Sequence, residues 1–247
     1  MFSVAWLPFV LAVGLLPTPN TPTTQSVTLH GRAHTLHVYG DPSATHTAIV
    51  ASGDGGWMHL APHVADVLAS RGWFVVGLDA KAYLSGNDRH PLQTSDIVAD
   101  YRRLLQLPAL AGSTPVLVGI SEGGGFSVTA AADPDIKKQI RGVVVLGLAN
   151  NNELAWHWRD AVIYLTKGVP DEPLFHAHDF VPLVAPTPFA WLRSSHDEYI
   201  PTRESDQGFL LARQPARLWT VDASDHRFSD NLPGLDERLF EALDWIA

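Results

Sequence analysis

The chain has 247 residues, of which 17 are basic and 26 are acidic, so its formal net charge is −9. Hydrophobic residues make up 46% of the chain and charged residues 17%, which excludes an intrinsically disordered protein. The negative charge argues against a nucleic-acid partner, because phosphate backbones are bound mainly through clustered Lys and Arg. The absence of cysteine excludes disulfides, thiolate metal sites and a cysteine nucleophile. A chain of this length fits one α/β domain.

The N-terminus carries a short apolar run, Val4–Leu16, followed by the polar stretch PTPNTPTTQ. Thirteen residues are fewer than the ~20 that span a bilayer as a helix, but they fit the core of a secretory signal. We therefore predict that residues 1–25 are a signal peptide or an apolar anchor plus linker, and that the protein is periplasmic or secreted. The signal is atypical, because no Lys or Arg precedes Arg32 and no A-x-A site is present. The alternative is an apolar helix packed on the domain.

The sequence pattern predicts that residues 26–247 form one domain in which strands alternate with helices. A hairpin comes first, then near-continuous apolar strands that alternate with amphipathic helices. The expected strands are Ser26–His30, Arg32–Tyr39, Thr47–Ala51, Trp73–Leu78, Pro115–Ile120, Gly142–Leu148, Phe189–Arg193 and Leu218–Val221. The expected helices are Leu60–Arg71, Asp96–Leu107 with Thr94 or Ser95 as cap, one through Phe126 and Ala131, Glu204–Arg213 and Leu235–Ile246. This pattern predicts an α/β fold with a mostly parallel central sheet and helices on both faces.

Residues 149–186 interrupt this rhythm, and loops of that length are uncommon in a compact domain unless they are functional. We interpret them as a lid or cap insertion, with a helix at about Glu153–Leu165. The insertion is rich in aromatic residues such as Trp156, which either line a substrate pocket or pack the cap on the domain. His176, His178 and Asp179 are candidate metal ligands by residue type. Their alternating spacing is more typical of a solvent-exposed segment, so we predict no metal site.

The motif Gly119-Ile120-Ser121-Glu122-Gly123 is a G-x-S-x-G that follows a predicted strand and precedes a predicted helix. In that context a nucleophilic serine sits on a sharp turn, and the flanking glycines let neighbouring backbone approach. The helix that starts there directs N–H groups and its positive end at developing negative charge. We predict Ser121 as the nucleophile; the alternative is a tight strand-to-helix turn without chemistry.

A serine nucleophile needs a base, and the base needs an orienting acid. Two loops that follow predicted strands supply them in the order acid and then histidine: SSHDEYIP carries Asp197 and DASDHRF carries His226. Both loops lie at the carboxyl edge of the sheet, where open α/β folds bind ligands. The sequence therefore predicts Asp197 and His226 as the partners of Ser121, with neighbouring His196, Glu198 and Asp225 as rivals.

The oxyanion hole needs two backbone donors, one of them from the residue after the nucleophile, here Glu122. The loop Ser52–Trp57 (SGDGGW) follows an early strand and supplies the other, which we assign to Asp54, with Gly55 as the alternative. We place Gly55, Trp57 and Trp156 on the substrate side of the site. A phosphate-binding reading of this loop is weak, because the Walker lysine and the G-x-G-x-x-G spacing are both absent.

Several features together resemble the VirJ-type bacterial virulence protein family, an α/β-hydrolase branch. They are SGDGGW at Ser52–Trp57, VVGLD at Val75–Asp79, a loop reaching Arg89 and Pro91, the DIVADY helix and the G-x-S-x-G motif. The resemblance implies a periplasmic protein, and some members are similar to hydrolases of aminoacylated phosphatidylglycerol. Glu122 departs from the family, which usually has an apolar aromatic residue there, and the run Gly123–Gly125 is unusually rich in glycine. An acidic Glu122 suggests attraction of a cationic aminoacyl amine.

These patterns predict a serine hydrolase that cleaves a small-molecule or lipid ester through an acyl-enzyme, without metal or organic cofactor. Two alternatives remain open at this point: a peptidase or dienelactone-type hydrolase on the same scaffold, and a non-catalytic periplasmic binding or secretion-accessory protein. Because the net charge opposes adhesion to anionic lipid, we expect any peripheral membrane contact to come through the N-terminus or the aromatic cap.

Overall fold

The computed structural model describes residues 22–86, 91–157 and 173–247. The strands are β1 (Thr23–Leu29), β2 (Arg32–Tyr39), β3 (His46–Ala51), β4 (Trp73–Leu78), β5 (Val116–Ile120), β6 (Gly142–Leu146), β7 (Asn151–Glu153), β8 (Leu174–His176), β9 (Phe189–Ser194) and β10 (Ala216–Val221). The helices are α1 (Leu60–Ser70), α2 (Ala80–Leu84), α3 (Thr94–Leu105), α4 (Glu122–Ala131), α5 (Pro134–Lys137), α6 (Thr202–Phe209) and α7 (Leu232–Ile246).

Eight of the strands form one sheet in the order β1-β2-β4-β3-β5-β6-β9-β10. The pairs from β4 to β10 are parallel, whereas β1 and β2 form an antiparallel edge. The predicted α/β fold with a mostly parallel sheet is therefore confirmed. Its carboxyl edge collects the loops that follow β3, β5, β6, β9 and β10.

The sheet is covered on both faces because successive residues of a strand point to opposite sides. In β3, Ile49 faces the core formed with α3 and α4, and Val50 faces the core formed with α1 and α7. Every residue of β5 and of β6 is buried, as a central parallel strand requires. Helix α1 places Leu60, Val64 and Leu68 on one buried face, at the helical spacing.

The predicted helix over Glu153–Leu165 is wrong at its start. Residues Asn151–Glu153 form β7, which pairs antiparallel with β8, and no helix includes residues 154–157. A hydrogen bond from the Glu153 N–H to a side chain of α4 holds this strand, a long-range contact that helical spacing cannot reveal. The rest of the predicted helix lies outside the described residues.

Two smaller differences concern helix starts near the carboxyl edge. Helix α3 begins after Gln93, whose N–H donates to Asp96 Oδ2 at 2.9 Å, so neither Thr94 nor Ser95 is the cap. The short helix α2 was not predicted. Asp79 caps it by accepting a hydrogen bond from the Ala82 N–H, and five residues are too few for a periodic pattern.

The predicted signal or anchor, residues 1–25, lies almost wholly outside the described residues, since only the last four of them are described. Within the three described ranges, no helix is long and apolar enough to cross a membrane.

Candidate active site

The predicted nucleophile, Ser121, lies in a sharp turn between β5 and α4. Its backbone has φ 50° and ψ −114°, a strained conformation for a residue with a side chain. The turn needs glycine on both sides: a Cβ at Gly119 would lie 2.2 Å from the Gly123 carbonyl oxygen, and one at Gly123 would lie 2.3 Å from the Ala51 carbonyl oxygen. The spacing of the motif therefore reflects backbone packed against backbone around Ser121.

Two amide groups beside Ser121 are suited to an oxyanion. In the described part of the chain, the N–H groups of Asp54 and Glu122 have no hydrogen-bond acceptor, whereas the next amide, that of Gly123, donates to Ser52 at 3.0 Å. Gly53 packs close to the nucleophile, since a Cβ there would lie 3.3 Å from Ser121 Cβ. The two predicted donors thus come from the loop that contacts Ser121 and from the first residue of α4.

The predicted acid and base lie in contact. His226 Nδ1 is 2.6 Å from Asp197 Oδ2, and the Asp197 side chain is only 3% exposed. The other carboxylate oxygen, Oδ1, accepts the N–H groups of Tyr199 and Ile200 at 2.9 and 2.8 Å. Because the carboxylate accepts from Nδ1, that nitrogen carries the proton and Nε2 is left as an acceptor.

Ser121 and His226 both border the end of β6. The Ser121 N–H donates to the Leu146 carbonyl at 2.8 Å, and a Cβ at Gly147 would lie 2.7 Å from His226 Cε1. Sequence reasoning missed Gly147, although a glycine at the end of a strand signals such a close approach. Among the described residues, no hydrogen bond joins Ser121 Oγ to the His226 ring. Catalytic hydrogen bonds of this kind are often long before substrate binds.

The rival Glu198 also takes part in the arrangement, but through the backbone. Its Oε2 accepts the His226 N–H at 2.7 Å, so it fixes the loop that carries the imidazole. Asp225, the other acidic rival, accepts the N–H groups of Arg227 and Ser229 within its own turn. Of the candidate acids, Asp197 contacts the imidazole ring.

The Glu122 side chain does not face solvent. It is 6% exposed, and its Oε1 accepts the N–H of Glu153 in β7 at 2.7 Å. Burial, followed by the nearby charges of Glu153 and Asp54, raises the pKa of the Glu122 carboxyl well above its ordinary value. The attraction for a cationic amine that the sequence suggested is not supported, because the carboxyl is buried and its Oε1 is already hydrogen-bonded to β7.

The glycine run Gly123–Gly125 also has a structural reason. While Gly123 meets the backbone after β3, a Cβ at Gly125 would lie 2.1 Å from Asn152 Oδ1. Asn152 is fully buried, and its Nδ2 donates to the carbonyl of Ala149 at 2.9 Å. The first turn of α4 is thus packed against β3 on one side and against β7 on another.

Three residues were predicted on the substrate side of the site. The contacts of one of them, Trp57, do not indicate substrate binding. Its ring stacks on His37 at 4.6 Å, its Nε1 donates to Tyr39 Oη at 3.2 Å, and it fills the space above Gly77. These contacts give it a packing role on the sheet. Gly55 is half-buried in the loop Ser52–Trp57, which we call the oxyanion loop after its predicted role, and a Cβ there would meet nothing within 4 Å.

Trp156 lies in a cluster with Lys81 that sequence reasoning missed. Lys81 Nζ sits 4.3 Å from the centre of the Trp156 ring. The Lys81 side chain also packs on the oxyanion loop, since its Cβ and Cδ would both lie 3.4 Å from a Cβ at Gly56. Trp156 is therefore connected to the oxyanion loop through Lys81, at the start of α2.

The His176–Asp179 stretch has other contacts than a metal. His176 Nδ1 is 3.0 Å from Asn151 Oδ1, which joins β8 to β7. The ring of His178 packs against Trp191 at 5.8 Å between centres, and burial lowers its pKa. Across residues 22–86, 91–157 and 173–247, no group of three His, Asp or Glu side chains is placed to hold a metal ion.

Comparisons with known proteins agree with this architecture. The model of the VirJ family, described as a bacterial virulence protein, matches residues 45–160. No curated protein matches the sequence. The fold is similar to an esterase domain from Rhodothermus marinus, with a TM-score of 0.62, 16% identity and coverage of 90% of this chain and 96% of the other.

Two further solved structures share the fold. One is a dienelactone hydrolase from Anabaena variabilis, with a TM-score of 0.66, 17% identity and coverage of 91% and 96%. The other is a membrane phospholipase A described as a bacterial virulence factor, with a TM-score of 0.67, 13% identity and coverage of 91% and 86%. The predicted resemblance is confirmed: this chain has an α/β-hydrolase fold and carries the sequence pattern of the VirJ family over residues 45–160.

Proposed function

We propose that the protein is a serine hydrolase that cleaves a carboxylic ester through an acyl-enzyme. The observation that carries the proposal is the 2.6 Å contact between His226 Nδ1 and Asp197 Oδ2 at the sheet edge that also holds Ser121 in a strained turn. A histidine held in this tautomer by a buried carboxylate, beside a serine on such a turn, is the arrangement that nucleophilic acyl transfer requires.

The mechanism follows from the roles of these groups. Ser121 Oγ attacks the ester carbonyl carbon while His226 Nε2 takes its proton, and Asp197 stabilises the imidazolium that forms. The amides of Asp54 and Glu122 donate to the tetrahedral oxyanion. The ester C–O bond then breaks, and His226 returns the proton to the leaving alcohol. Water, activated by the same histidine, attacks the acyl-enzyme and releases the acid.

The test is a panel of p-nitrophenyl esters with acyl chains of increasing length. We expect Ser121→Ala to lower kcat/KM by at least about 10³-fold, since removal of such a nucleophile abolishes the covalent route. Ser70→Ala is the matched control, because Ser70 is exposed at the far end of α1. Equal activity of Ser121→Ala and wild type would overturn the proposal. Matched amides on the same panel distinguish an esterase from a peptidase.

A narrower proposal comes from the VirJ resemblance, which points to aminoacyl esters of phosphatidylglycerol. It also points to a periplasmic or secreted protein that meets lipid through its N-terminus or cap. The test uses vesicles that contain aminoacylated phosphatidylglycerol. Release of the amino acid by wild type but not by Ser121→Ala supports this substrate, and hydrolysis of soluble esters without any release from vesicles contradicts it.

A further inference from the structure

A cleft of about 360 Å³ lies between the start of α1 and the loops that carry Asp197 and His226. Neither of these two side chains lines it, but their sequence neighbours Glu198 and Arg227 do. The opposite wall comes from His59 and Leu60, which are two and three residues beyond the end of the loop Ser52–Trp57. The cleft is therefore built from the same loops as the candidate site and opens next to it.

The cleft lies on the histidine side of Ser121. Tyr199, which lines it, packs edge-on against the His226 ring at 5.7 Å between centres. Glu198, which also lines it, accepts the His226 N–H at 2.7 Å. The cap strand β7 contacts Glu122 at the start of α4 instead. The two flanks of Ser121 are thus different surfaces, one formed by the cap and the other by this cleft.

Ester cleavage assigns different parts of the substrate to these two flanks. The carbonyl oxygen must face the amides of Asp54 and Glu122, and the alcohol oxygen must face His226 Nε2, which protonates it. The group attached to the alcohol oxygen therefore extends toward the histidine side. The cleft beside His226 is in position to receive that half of the ester.

Some polar groups that line the cleft already have hydrogen-bond partners, and others have none within the described ranges. Asp225 accepts hydrogen bonds from Ser229 and from the Arg227 N–H, and His63 Nε2 is 2.8 Å from Asp236. By contrast, the Arg227 guanidinium and the His59 ring have no hydrogen-bond partner within the described ranges.

The groups left for a ligand are the Arg227 guanidinium, the His59 ring and the second carboxylate oxygen of Glu198, with apolar surface from Leu60 and Leu232. With the carboxylate of Asp225 included, the cleft carries one guanidinium and two carboxylates, which does not favour an anionic ligand. They fit hydroxyl groups, which accept from arginine and donate to carboxylate. The apolar side chains can pack on the C–H surface of the same ligand.

We propose that this cleft binds the alcohol half of the substrate, and that this alcohol is hydroxylated, like a glycerol or a sugar. The proposal rests on the proposed function, because it assumes that His226 protonates the leaving group. It deepens that function by naming the chemical class of the leaving group. A cleft of about 360 Å³ is at the lower end of the range for small-molecule sites.

The first test measures binding without turnover, by saturation-transfer NMR with methyl glucoside and with butanol. We expect methyl glucoside to bind wild type and Ser121→Ala, and butanol to bind neither detectably. In Arg227→Leu we expect methyl glucoside to bind about tenfold more weakly, since a hydrogen bond to a charged group is lost. Arg213→Leu is the control, because Arg213 is exposed just before β10, at the opposite edge of the sheet. No binding to wild type, or equal binding to Arg227→Leu, would overturn the proposal.

The second test compares two acetate esters that share the acyl group and differ in the alcohol, glyceryl monoacetate and ethyl acetate. We expect Arg227→Leu to lower kcat/KM about tenfold for the glyceryl ester and less than about twofold for the ethyl ester. Equal losses on both esters, or no loss on either, would contradict the proposal. Hydrolysis that survives in Ser121→Ala would instead overturn the proposed function, and the NMR result would still decide what the cleft binds.

Discussion

The buried carboxyl of Glu122 predicts an unusual dependence of stability on pH. Its pKa is raised in the folded protein, mainly by burial and then by the charges of Glu153 and Asp54, so the folded state holds this proton more tightly than the unfolded chain does. As the pH rises above the ordinary value of 4.5, the unfolded chain releases the proton first, and the free energy of unfolding falls. Glu122→Gln cannot ionise and escapes this loss.

The size of the effect follows from proton linkage. Each pH unit between the unfolded and folded pKa values is worth about 1.4 kcal/mol for one group. We therefore expect the free energy of unfolding of Glu122→Gln to rise relative to wild type by up to about 1.4 kcal/mol for each pH unit above 4.5 over which folded wild type keeps the proton. Near pH 4 the difference in the free energy of unfolding between the two proteins does not depend on pH, because both carry an uncharged side chain that can accept the Glu153 N–H.

The measurement is urea unfolding, followed by tryptophan fluorescence, at steps of half a pH unit from pH 4 to pH 7.5. Glu237→Gln is the control, because Glu237 is exposed on α7, and it should differ from wild type by less than about 0.5 kcal/mol at every pH. A difference between Glu122→Gln and wild type that stays constant across the range would refute the reasoning.

Three further changes test other parts of the account. Asp197→Asn should lower kcat on p-nitrophenyl acetate by about 10²- to 10⁴-fold, because an amide no longer enforces the proton on His226 Nδ1; an unchanged kcat would remove Asp197 from the mechanism. Gly119→Ala should lower the free energy of unfolding by about 1–3 kcal/mol more than Gly124→Ala, since its Cβ would lie 2.2 Å from a carbonyl oxygen, against 3.2 Å from a leucine methyl group at Gly124; urea unfolding ranks the two. Buried Asp100 accepts hydrogen bonds from His30 and Tyr83; burial raises the pKa of Asp100, but these hydrogen bonds lower it more, to below 3.8. Asp100→Asn should therefore lower the free energy of unfolding by about 1–3 kcal/mol at pH 7, and this loss should shrink as the pH falls below 3.8.

The main elements of the fold were predictable because the sheet is central and parallel. A strand buried on both faces reads as an unbroken apolar run, and Trp73–Leu78 was predicted with both of its ends. The glycines around Ser121 carried a signal as well, since their spacing reflects the contacts of one tight turn. Features of this kind can be recognised in the sequence because they depend on residues that lie close together along the chain.

Contacts between distant segments could not be predicted in the same way. Strands β7 and β8 have three residues each and pair across a long separation in sequence, which no periodicity reveals. The role of Glu122 depends on the N–H of Glu153, 31 residues away. An acidic residue at that position reads as a surface charge in the sequence, and only the packing of β7 on α4 makes it a buried acid.

The proposed nucleophile is the central claim, and covalent labelling tests it most directly. The protein is treated with a fluorophosphonate probe, digested and mapped by mass spectrometry, beside Ser121→Ala and His226→Ala. We predict one adduct, on the peptide that contains Ser121, no adduct in Ser121→Ala and strongly slowed labelling in His226→Ala, because the serine then lacks its base. Equal labelling of Ser121→Ala and wild type, or an adduct on another serine, would contradict the account.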